Sequence, residues 1–181
     1  MNKTVSIGAV KGNLWTGELP YSTFEPENVV LSTTNAIHFD ENSKEVSGAL
    51  EVFIPRGARV LYGLVGGVFT PDNNADNLKI EVGYINQLAI PCSLPLASGT
   101  GEAYVGLEKE YAEAVSSGLQ KAIAHHPIFP PGVIKVNCGV ISIFGSAPLL
   151  YERLGKNLYQ VLVSQYQGIT IREDIFKLNL N

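Results

Sequence analysis

The hydrophobic spacing of this chain first changes at Leu107, and that change constrains the fold more than any other feature. Before it, apolar residues come in short β-branched and aromatic runs: residues 46–54 (VSGALEVFI), 58–70 (ARVLYGLVGGVFT) and 78–90 (LKIEVGYINQLAI). Such runs suit strands. From Leu107 the period lengthens. Leu107, Tyr111, Ala114, Val115, Gly118, Leu119, Ala122 and Ile123 recur every three or four residues, while Glu108, Glu110, Glu113 and Gln120 take other faces, which predicts an amphipathic helix.

Punctuation sets the remaining elements. Pro55-Arg56-Gly57 and Pro71-Asp72-Asn73-Asn74 separate the strand runs and read as reversals between antiparallel strands. Gly63, Gly66 and Gly67 inside the middle run predict a bulge or bend. Pro127 closes the helix, and residues 133–144 form another β run. Ser146 is a candidate N-cap and Pro148 a first-turn residue for a second helix over about 148–165, with Leu150, Leu154, Leu158, Val161 and Leu162 on one face. Gly168 ends that helix, and residues 169–180 read as a last strand. With no repeat or linker, the order predicts a single α+β domain over residues 1–181: a mixed or mostly antiparallel sheet with two helices on one face.

Charge narrows the function. A net charge of −4 and 13 scattered Lys and Arg provide no basic stripe, so nucleic acid is not an expected partner. No apolar run reaches the roughly 18 residues that a membrane helix needs. The opening MNKTVSIGAV lacks the apolar core of a leader, so a cytoplasmic protein with free thiols at Cys92 and Cys138 is expected.

Glu110-Tyr111, Ala114-Val115 and Gly118, followed after a strand by Gly139, Ser146 and a second helix, form a sequence of features. With the strand at Leu78-Lys79-Ile80-Glu81-Val82, the stretch 78–162 resembles domain IV of elongation factor G and the ribosomal protection proteins. That resemblance, over about 85 of 181 residues, implies a left-handed βαβ unit. Where the family carries Asp, Ser, Tyr, His and Asp, this chain has Cys138, Val140, Ile141, Ser142 and Ile143. Val140, Ile141 and Ile143 thus replace polar residues of the family's tip, and no G-x-x-x-x-G-K-[ST] loop occurs. The resemblance therefore speaks to fold and leaves a ribosome- or RNA-associated role as the weakest reading.

Candidate sites are few. Pro95-Leu96-Ala97-Ser98-Gly99-Thr100-Gly101-Glu102-Ala103 resembles the phosphate loop of the galactokinase and homoserine kinase superfamily, which implies ligand contacts from Ser98, Gly99, Thr100 and Gly101. Glu102 stands where that family has serine and would repel a phosphate, so a plain connection into the helix is the competing reading. Asp72-Asn73-Asn74-Ala75-Asp76-Asn77 has oxygen ligands at the first, third and fifth positions of a calcium-type loop but lacks its glycine and terminal Glu, which favours an Asx turn.

His125 and His126 suit the negative end of a helix, and His38 lies in a polar stretch. An acid-base or metal role would need carboxylates such as Glu25, Glu27, Asp40 or Glu41 brought in by folding. Trp15 either anchors a partner or pins the N-terminal segment to the sheet. With no nucleophile elbow and no expected metal or cofactor, the favoured function is a non-enzymatic binding or assembly protein, possibly a homo-oligomer. A small-molecule enzyme, using phosphate or a nucleotide, is the alternative.

Overall fold

A computed structural model describes residues 2–37, 43–176 and 178. The strands are β1 (Asn2–Ile7), β2 (Val10–Thr16), β3 (Asn28–Asn35), β4 (Val46–Arg56), β5 (Arg59–Pro71), β6 (Asn77–Tyr84), β7 (Ile90–Pro91), β8 (Ala103–Val105) and β9 (Gly132–Ser142). The helices are α1 (Lys109–His125) and α2 (Pro148–Gln167). The fold is α+β, as the change of period predicts. One nine-stranded sheet runs β1-β2-β4-β5-β9-β6-β3, with β8 joining β9 and β7 joining β8. All pairings are antiparallel except β6 with β9, which run parallel around the crossover through α1.

Alternation sorts the strands into two faces. Leu50, Val52 and Ile54 of β4, Val65 and Phe69 of β5, Ile80 and Val82 of β6 and Ile134 and Val136 of β9 point to one face. Both helices cover it, through Val115, Leu119 and Ile123 of α1 and Leu154, Leu158 and Leu162 of α2. The helices touch where neither has a side chain: a Cβ on Gly118 would fall 2.0 Å from the Glu152 carbonyl oxygen, and one on Gly155 would fall 2.4 Å from that of Val115.

Four expectations change. The turn at Asp72 is no hairpin, because β9 inserts between β5 and β6 and pairs with both. Ser146 does not cap α2. Ala147 is the N-cap residue, while the Ser146 hydroxyl donates to the Tyr62 carbonyl at 2.9 Å and accepts from the Ser142 amide at 2.9 Å. Beyond Gly168, whose φ of 69° closes α2, the described residues hold a short 3-10 turn at Glu173–Phe176 and no strand. Within β4, Pro55 does not stop the strand, which continues to Arg56 before the Gly57 turn. The bend expected among the glycines is present as a register shift at Gly66/Gly67 against β9. No helix among the described residues is long and apolar enough to cross a membrane.

Candidate functional site

The second face of the sheet is only half covered. Loops contributing Leu19, Leu94, Leu96 and Ala97 close over Trp15, Ala49, Tyr62, Leu64, Cys138 and Val140, making a smaller core opposite the helices. Inside it lies Glu51, fully buried. Its carboxyl accepts from the Asn13 amide at 2.7 Å and from the Tyr62 hydroxyl at 2.8 Å. Asn13 in turn accepts from the Thr4 hydroxyl at 2.8 Å. Thr4, Asn13 and Glu51 are direct cross-strand partners on β1, β2 and β4, so the hydrogen-bonded row follows the sheet register.

Burial raises the Glu51 pKa above the ordinary carboxyl value, more than its two donors lower it. Burial also raises the phenol of Tyr62, with the neighbouring Glu51 carboxylate adding to the shift. Cys92, half-buried beside Tyr62, has its thiol pushed up. Cys138, within 3.2 Å of the Ser22 hydroxyl, is pushed up to about 12. Both cysteines are free, as expected. A thiol held protonated is a poor nucleophile.

The residues singled out by sequence fall around this layer. Trp15 is buried at 6% exposure, its ring spent on the second core. Ala97–Thr100 form a single 3-10 turn. The Ser98 hydroxyl donates to the Pro95 carbonyl and that of Thr100 to the Ala97 carbonyl, both at 2.7 Å, so each is used within its own turn. Gly99 lies over Phe53, and Gly101 takes a φ of 86°. A shallow groove of about 450 Å³ brings Gly99 and Thr100 beside Arg59 and the exposed Phe144.

His125 completes α1 and His126 is its C-cap, with the His126 carbonyl accepting from the Tyr159 hydroxyl at 2.7 Å. Both line a groove of about 390 Å³ between the helix ends and residues 169–175. Neither meets Glu25 or Glu27. Glu27 binds the Asn86 side chain at 2.6 Å, and Glu25 lines a shallow groove with Lys135. His38, Asp40 and Glu41 lie outside the described residues. Asp72 does form the Asx turn, its carboxylate accepting from the Asn74 amide at 2.9 Å. Among the described residues no cluster of three His, Cys, Asp or Glu could hold a metal.

One surface is not singled out by any sequence motif. The sheet ends at β3, NVVLSTTN, and among the described residues nothing pairs with its outer side. Val29 and Leu31 on the uncovered face are 42% and 69% exposed. The usual guards of an edge strand are a charge, a proline, a bulge or shortness. β3 is eight residues long, carries no charge or proline, and pairs with β6 in unbroken register. The opposite edge is guarded: Lys3 on β1 binds Glu173 at 2.8 Å. Compared with protein-family models, curated proteins and solved structures, the chain matches none.

Proposed function

We propose that this chain is a non-enzymatic binding or assembly protein that works by taking up an extended strand at the β3 edge. The observation that carries this reading is the unguarded eight-residue edge strand beside the uncovered half of the sheet. An added strand gains main-chain hydrogen bonds, each worth about 0.5–1.5 kcal/mol net. Side chains on the open face then supply selectivity. The second core supports the same reading, because its acid and phenol are buried and hydrogen-bonded to each other and Cys138 is buried against the Ser22 hydroxyl.

The element order β6–α1–β9–α2 lends support to a structural relation with elongation factor G domain IV. It lends none to a ribosomal role, since the turn after β9 exposes Ile143, which stands where that family is polar.

Two measurements test the proposal. A displayed library of extended peptides is selected against the wild type and then against Leu31→Lys; peptides that bind the first and not the second are expected. A thermal-shift series with ATP, sugar phosphates, Mg²⁺ and Zn²⁺ is expected to leave Tm unchanged. A saturable shift with a phosphorylated compound, lost in Gly101→Ala, would replace this reading with the enzyme. If neither a peptide nor a second copy of the chain occupies the edge, strand addition is wrong.

A further inference from the structure

We infer that the occupant of the β3 edge is a second copy of this chain, paired antiparallel about a two-fold axis normal to the sheet, with Leu31 facing the same residue of its partner. The inference rests on the strand-addition reading and makes it specific. A two-fold normal to the sheet superposes like faces, so opposed residues must both be odd-numbered or both even-numbered. Two registers keep seven of the eight residues of the strand paired under that condition. The one centred on Ser32 sets Val29 against Asn35 and Leu31 against Thr33 of the other copy. The one centred on Leu31 sets Leu31 against Leu31, Val29 against Thr33 and Val30 against Ser32. The second covers Leu31, the more exposed of the strand's two exposed large hydrophobic side chains, with its own equivalent and joins Val29 to Thr33, both β-branched, beside it.

Charge permits this pairing. Residues 28–35 hold no ionisable group. The nearest like charges on the open face are the two copies of Glu81, which sits beside Leu31 on β6. They would be three strand spacings apart, about 14 Å, beyond the screening length of about 8 Å at physiological salt. On the helix side, the Ser32 hydroxyl meets that of Ser116 on α1 at 3.3 Å, and Gln120 binds Ser116 at 3.1 Å. The charged pair near that flank, Lys109 with Glu113, is neutral in sum. A chain of net charge −4 thus presents an uncharged seam to its copy. The seam is short, so a dimer in the micromolar range is expected.

Sedimentation equilibrium across micromolar concentrations should show a reversible dimer. Leu31→Lys and, separately, Thr33→Lys should weaken it roughly tenfold or more, with unchanged circular dichroism because both side chains are exposed. Register is read by cross-linking. Under mild oxidation Leu31→Cys should form a disulfide dimer, since the Cα atoms of directly opposed residues lie about 4.5–5.5 Å apart, within the reach of a disulfide. Val29→Cys alone should not, but mixing it with Thr33→Cys should. The wild type, with Cys138 buried and Cys92 half-buried, is the background control. A monomeric wild type overturns the inference, as does Val29→Cys cross-linking as readily as Leu31→Cys. If the monomer still binds selected peptides, only the identity of the occupant is wrong and the strand-addition reading stands.

Discussion

Glu51 shows how a single residue escapes a sequence reading. It alternates with Leu50 and Val52, and a polar residue at that spacing reads as the solvent side of a strand. The cover that buries it, Leu94, Leu96 and Ala97, lies more than forty positions downstream, beyond the reach of local pattern. Its elevated pKa has a definite sign in stability. Folding favours the protonated acid, so its contribution is full below the unfolded carboxyl pKa of about 4.3 and is lost as pH rises through the folded value. Melting curves of the wild type should therefore lose stability over that window by about 1.4 kcal/mol per unit of pKa elevation. Glu51→Gln, neutral throughout, should flatten the loss; superimposable pH profiles would show that the acid is not linked to folding. Tyr62→Phe removes one donor from the buried carboxyl and should cost about 1–3 kcal/mol, read by urea unfolding.

At the scale of elements, legibility followed the range of the interaction. The bodies of α1, α2, β4, β5 and β9 were readable because amphipathic period and β-branched runs are local, as was the Gly168 stop. Strand neighbours were not: nothing near Asp72 announces that β9 will separate β5 from β6. Ser146 reads as a cap in sequence because its actual partners, Tyr62 and Ser142, come together only through the sheet. β1, β2 and β3 fall in the β-rich half but have short, polar-interrupted runs that gave no boundaries. Gly118 reads in sequence as part of a helix pattern, and structure assigns it the close crossing with α2. Gly118→Ala should therefore lower stability by about 1–3 kcal/mol through overpacking, although alanine is the better helix former by about 1 kcal/mol. A rise in Tm would mean that the helices separate freely.

For the whole molecule, the governing fact is the placement of β9 at the centre of the sheet although it follows every other strand among the described residues. A chain ending at residue 131 retains β1 to β8 and α1 but loses the strand that joins β5 to β6, together with α2. Such a fragment should show no cooperative melting transition and should aggregate, as judged by calorimetry and light scattering; a sharp transition would mean that the two halves of the sheet are self-sufficient. Synthesis imposes the same condition for a time. While a growing polypeptide waits for its centre, the thirteen residues of β5, bearing Leu64, Val65, Val68 and Phe69, present an unfilled margin to any other nascent chain. Slower translation between residues 71 and 142, or fewer holding chaperones during that interval, should therefore lower the yield of folded protein even where the stability of the finished fold is unchanged.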